Sequence, residues 1–238
     1  GFLASLHVGD VCQSGYQPFE SYRSVNRFLT RYLIPFAALV FTSCGEDAYV
    51  YPDLITEMVC LKTDNQGFGT YFVTDEGRTW HLAKDNRPDS LTADSTYRVV
   101  SRYAPLNETE AKAYSLYKTI STLPQKQSEY ETIHTDPVNI QSIWRSGDYL
   151  NMVLQIMVKD QKHELSFIEN GITTNDDGTQ TLTLTLYHNR KGDVEGFNEK
   201  HYLSIPLWHY QDILNKGDQI VLQLNTYKEG MISRNYTF

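Results

Sequence analysis

The chain predicts an all-β protein: a five-stranded barrel followed by an immunoglobulin-like β-sandwich. Three observations carry this. From residue 54 onward the apolar residues recur with period two, the repeat of a strand with one buried face. The alternating runs are rich in Val, Ile, Thr, Tyr and Phe, which suit a pleated, half-buried surface. Short turns built from Gly, Asp and Asn separate the runs at the spacing of a meander or sandwich.

The first series comprises Ile55–Lys62, Gly69–Thr74, Thr79–Ala83 and Tyr97–Tyr103. Asp64-Asn-Gln-Gly67 and Asp75-Glu-Gly-Arg78 supply tight turns, with glycine providing positive φ. The stretch 111–121 reads two ways. Ala113, Leu116, Tyr117 and Ile120 fit a helical stripe, with Asn107 and Glu110 as a cap, but its Tyr, Thr and Ser content favours a fifth strand. Five short strands suffice for a closed barrel of oligonucleotide/oligosaccharide-binding (OB) type over residues 54–122. The polar, aperiodic stretch 123–136 reads as a linker between independent domains. Beyond it, residues 137–238 hold about seven strands, which suits an antiparallel sandwich. They are 139–144, 149–159, 162–169, 180–188, 200–207, 218–227 and 232–238.

The N-terminal region carries an address. Arg27 and Arg31 precede an apolar run from Leu33 to Phe41, and Phe41-Thr-Ser-Cys44 follows, then Gly45-Glu-Asp47. This is the charged, apolar, small-residue order of a secretory signal, and the run is too short to span a bilayer. Phe41–Cys44 resembles the lipobox of bacterial lipoproteins, which makes Cys44 the expected lipid-bearing N-terminus. Residues 1–43 are read as a signal peptide with a misplaced upstream start, and 44–53 as the tether.

Composition excludes several function classes. The 238 residues carry 21 Lys and Arg against 29 Asp and Glu, a formal net charge of −8, and removal of the signal leaves the chain no less acidic. Nucleic acid binding, which needs clustered cations against phosphate, is not expected. There is no Gly-x-Ser-x-Gly elbow, phosphate loop, His-Glu-x-x-His or Gly-x-Gly-x-x-Gly motif, so no enzyme and no cofactor is expected. His163, His188, His201 and His209 match no zinc spacing, and Asn175-Asp-Asp-Gly178 reads as a hairpin turn before it reads as a calcium loop. No metal site is expected. Cys60 reads as a small buried residue on a strand. Of the three tryptophans, Trp144 and Trp208 are assigned to the core, and Trp80 is the candidate for an exposed stacking platform that binds sugar.

Three segments carry a resemblance: Asp136-Pro-Val-Asn-Ile-Gln-Ser-Ile-Trp-Arg-Ser-Gly-Asp-Tyr-Leu-Asn151, Thr181-Leu-Thr-Leu-Thr-Leu-Tyr-His188 and Tyr202-Leu-Ser-Ile-Pro-Leu-Trp208. In these, and from the lipobox onward, the chain resembles the NigD-like lipoproteins of Bacteroides and its relatives. The resemblance implies an OB-type barrel followed by a β-sandwich, an outer-membrane location on either face, and a role in bacteriocin immunity through a protein partner. It carries over no functional residues. The alternatives are a surface glycan-binding lipoprotein and, third, a hydrolase with two dispersed carboxylates.

Overall fold

The structure, a computed structural model, describes residues 52–84 and 87–238. The expectations for the signal, for Cys44 and for most of the tether lie outside those residues. Among the described residues, no helix is long and apolar enough to cross a membrane.

Five strands close the barrel in the order β1-β2-β3-β5-β4: β1 (Ile55–Thr63), β2 (Gly69–Thr74), β3 (Thr79–Leu82), β4 (Thr96–Pro105) and β5 (Glu110–Lys118). Strand β5 resolves the ambiguity at 111–121 in favour of a strand. Asn107 caps no helix. Its Oδ1 accepts from the backbone N–H of Thr109 and Glu110, at 2.9 and 2.8 Å, and so shapes the β4–β5 turn. Period-two alternation turns Val59, Leu61, Phe72, Trp80, Leu82, Val99, Tyr103, Ala111 and Ala113 inward to form the barrel core.

The second domain is a sandwich of a five-stranded sheet, β13-β12-β10-β9-β6, on a three-stranded sheet, β11-β8-β7. Its strands are β6 (Gln125–Lys126), β7 (Asn139–Ser146), β8 (Tyr149–Val158), β9 (Glu164–Thr174), β10 (Gln180–Asn189), β11 (Phe197–Pro206), β12 (Gln219–Thr226) and β13 (Gly230–Thr237). The pairing is not wholly antiparallel. Chain reversal into β11 uses the opposite sheet, so β12 returns parallel to β10. Leu182, Leu184 and Leu186 from one sheet meet Leu150, Met152, Leu154 and Ile156 from the other. Each such side chain, fully buried, contributes about 1.5–3 kcal/mol of transfer free energy.

Two expectations fail here for local reasons. Residues 123–136 are not a free linker: β6 pairs in parallel with Ile168 and Glu169 of β9, and Thr135 bridges His188. The Tyr130 hydroxyl lies 3.0 Å from Ser166 Oγ and 3.2 Å from the Phe167 carbonyl oxygen. The segment's polarity and lack of period reflect an edge strand too short to show alternation. Trp144 is not core either, being 36% exposed. The β7–β8 register shifts between Ile140 and Ser142, and this bulge lets both Ile140 and Ile143 pack on the core. The same shift turns Trp144 outward. Trp208 is half-buried in the short turn after β11, where Leu207 and Tyr210 take the inward positions.

The domains are joined closely. Ile120 bridges Leu203 of β11, its N–H donating to the Tyr202 carbonyl at 2.8 Å while its carbonyl accepts from Ser204 at 2.9 Å. Between barrel and sandwich, the buried Arg98 guanidinium makes two bonds to Asp75, at 2.6 and 2.8 Å. It also donates to Asn151 Oδ1 at 3.1 Å and Ser204 Oγ at 3.2 Å, and it lies over the Tyr149 ring at 3.8 Å. Gly147, at φ +51°, brings the β7–β8 turn against the Asp75 backbone, where a Cβ would sit 2.5 Å from the Asp75 carbonyl oxygen.

Candidate functional site

The barrel mouth on the Asp75–Arg78 side holds a depression of about 570 Å³. Strand β1 contributes Ile55 and Glu57, the β2–β3 turn contributes Glu76 and Arg78, and the β4–β5 turn contributes Glu108. Its floor is aromatic. Trp80 is only 2% exposed and packs 5.9 Å from the Tyr103 ring, which in turn lies 4.8 Å from Phe72. The Arg78 guanidinium covers the indole at 3.8 Å and donates to the Glu108 carbonyl at 3.3 Å.

Trp80 is therefore a barrel core residue under an arginine, and the exposed stacking platform expected of it is not formed. Its pattern was readable. In Thr79-Trp-His-Leu82 the Trp and Leu share one face, and that face is buried.

Glu57 and Tyr103 were not singled out by sequence reasoning. The Tyr103 hydroxyl donates to Glu57 Oε1 at 2.5 Å. Burial pushes the Glu57 carboxyl up; the Tyr103 hydrogen bond opposes this, and the nearby Asp75 and Glu76 charges add to it. Burial also pushes the phenol up, with the Glu57 bond and charge adding to it. The pair is thus a fixed donor–acceptor couple, with Glu76 and Glu108 as exposed anionic rim. The depression offers no Ser, Cys or His nucleophile–base pair among the residues that line it. Its lining presents both charged and apolar surface.

The histidines separate into two groups. His163 and His188 come together with Asp193: His163 Nδ1 lies 2.9 Å from His188 Nε2, and His163 Nε2 lies 3.3 Å from Asp193 Oδ2. His209 is exposed, its ring 6.2 Å from that of Trp208. Among the described residues no group of three or more His, Cys, Asp or Glu is arranged to hold a metal ion. Asn175–Gly178 forms the expected hairpin turn, Asp177 accepting from the Thr179 N–H at 3.0 Å and Gly178 taking φ +83°.

Fold and site together define a two-domain all-β protein, an OB-type barrel docked on a β-sandwich, without a recognisable catalytic centre among the described residues. Residues 58–123 match the NigD-like N-terminal OB domain and residues 121–238 the NigD-like C-terminal beta sandwich domain. The chain belongs to the NigD-like family. The sandwich match begins at residue 121 and so takes in the segment 123–136.

Among solved structures, the chain is similar to a NigD-like immunity protein from Bacteroides caccae, with 27% identity and a TM-score of 0.63, over 79% of this chain and 99% of that one. It is also similar to a Parabacteroides distasonis protein provisionally described as toxin related, at 16% identity and a TM-score of 0.59, over 78% and 93%. A third, from Bacteroides fragilis and provisionally described as a lipoprotein, has 12% identity and a TM-score of 0.52, over 78% and 97%. At those last two identities the likeness concerns the fold alone. No curated protein matches.

Proposed function

We propose that this chain is a lipid-anchored, non-catalytic interaction protein of the outer membrane, and that it confers immunity to a bacteriocin-type toxin by engaging a protein partner. The observation that carries this reading is the 27% identity, over nearly the whole of that chain, to a structure named an immunity protein. The acidic rim of the barrel mouth, formed by Glu76 and Glu108, supports a binding role. Glycan capture loses its motive, because Trp80 is enclosed in the barrel core.

Deleting the gene is expected to sensitise the producing cell to one toxin, and restoring it to remove that sensitivity. Unchanged survival against every toxin of competing strains would sink the immunity reading.

The anchor rests on Cys44 and the signal before it. At about 0.8 kcal/mol per buried methylene, two or more acyl chains outweigh the solubility of an acidic β-protein. Cys44→Ala is expected to move the protein from the membrane fraction to the soluble fraction. A variant that stays with the membrane would refute lipidation there.

A further inference from the structure

At one end of the sandwich the hydrogen-bond inventory closes only with an extra proton. His188, near the end of β10, places Nδ1 2.9 Å from the backbone carbonyl oxygen of Asp136. A carbonyl only accepts, so His188 Nδ1 carries hydrogen. Asp193, in the β10–β11 turn, accepts from the backbone N–H groups of Lys159 at 2.7 Å, Asp160 at 3.1 Å and Val194 at 3.0 Å. Desolvation raises its carboxyl, but backbone N–H groups and the His163 ring outweigh this and hold it well below the usual carboxylate range. It is a carboxylate, so His163 Nε2, facing it, also carries hydrogen. A neutral imidazole has one N–H. With both rings neutral, His163 Nδ1 and His188 Nε2 would meet as two bare lone pairs 2.9 Å apart, in side chains that are almost wholly buried.

We propose that this pair stores one proton at neutral pH, carried by His163 as an imidazolium between the Asp193 carboxylate and a neutral His188, and that the proton latches this end of the sandwich together. Burial pushes the His188 imidazole down, toward its neutral form, which agrees with the charge residing on the ring beside the carboxylate. The latch joins both sheets. His188 holds the approach segment through Asp136, while Asp193 ties the β10–β11 turn to the turn between β8 and β9.

The other charges facing the pair are largely committed. Arg190 reaches Asp136 at 3.4 Å and Glu195 at 3.9 Å, and Lys191 reaches Glu164 at 2.6 Å. Lys159 and Asp160 pair with each other at 3.8 Å on the exposed side of the β8–β9 turn. From β11, the His201 imidazole is pushed down by burial and so supplies no competing cation, while Glu199 lies 3.3 Å from it. His134 faces the Tyr187 ring in the approach segment, and Tyr227, following β12, is a phenol pushed up by burial.

The sign follows from proton count. The folded chain holds a proton that an unfolded histidine releases near about pH 6.5. The stability it supplies is therefore complete below that value and is lost as pH rises through the point where the folded pair releases it.

The decisive measurement is a long-range proton–nitrogen correlation of the imidazole rings in the nitrogen-15-labelled chain at about pH 8, where a free histidine is neutral. Both His163 nitrogens are expected in the protonated range, with His188 as the neutral Nδ1–H form. Neutral rings for both His163 and His188 in the folded chain would overturn the proposal. His163→Gln, compared with the unmodified chain by urea midpoint between about pH 6 and pH 9, is expected to show a stability deficit that shrinks as pH rises. A deficit independent of pH would refute the latch, and the ring measurement stands on the unmodified chain whether or not the variant folds.

Discussion

Asp75→Ala is expected to cost about 3–5 kcal/mol, because it leaves the Arg98 guanidinium buried without its counter-charge. The side chains of Arg98 and Asp75 are 1% and 7% exposed. Asn151 and Ser204, the neutral partners that remain, satisfy N–H groups without offsetting charge. The matching prediction is that Arg98→Met combined with Asp75→Leu recovers much of the loss, since apolar replacement of a whole buried pair is often neutral. Urea denaturation checks both, read as a shift in midpoint at constant slope. A loss below about 1 kcal/mol for Asp75→Ala would mean that water reaches the guanidinium and that the domains do not seal around it. Because the network spans barrel and sandwich, probes of the two domains should report one coincident transition in the unmodified chain. Separate transitions would restore the picture of two independent domains.

Trp80→Ala is expected to cost about 3–5 kcal/mol through the cavity left among Phe72, Leu82 and Tyr103. Trp144→Ala, on the outward face of β7, is expected to cost about 1 kcal/mol or less. Near-ultraviolet circular dichroism and urea midpoints distinguish them. Equal costs would contradict the opposite burial of the two indoles. Loss of any binding activity in Trp80→Ala would thus report a damaged barrel before it reported a lost ligand contact, so variants of Glu76 or Glu108 on the rim are the cleaner probes of the barrel mouth.

Most strands were legible because their information is local. In Gln180–His188 the leucines at 182, 184 and 186 alternate with threonines and turn residues precede the run, so strand and core-facing side follow from period two. Trp80 was legible in the same way, from its spacing to Leu82, once aromatic size was not taken for exposure. Trp144 was not, since its side depends on the extra residue that the β7 bulge inserts.

By itself, the sequence determined the all-β class, the barrel-then-sandwich order and the likeness to NigD-like proteins, because strand period, turn chemistry and family motifs are each written along a short stretch of chain. Only the tertiary structure decided that residues 123–136 join a sheet edge, that Arg98 finds Asp75, Asn151 and Ser204 across the domain junction, and that His163, His188 and Asp193 share one buried cluster. Those contacts join residues separated by 23 to 106 positions. A buried polar group takes its meaning from the partner that removes its desolvation cost, and that partner is supplied by the way the strands pack.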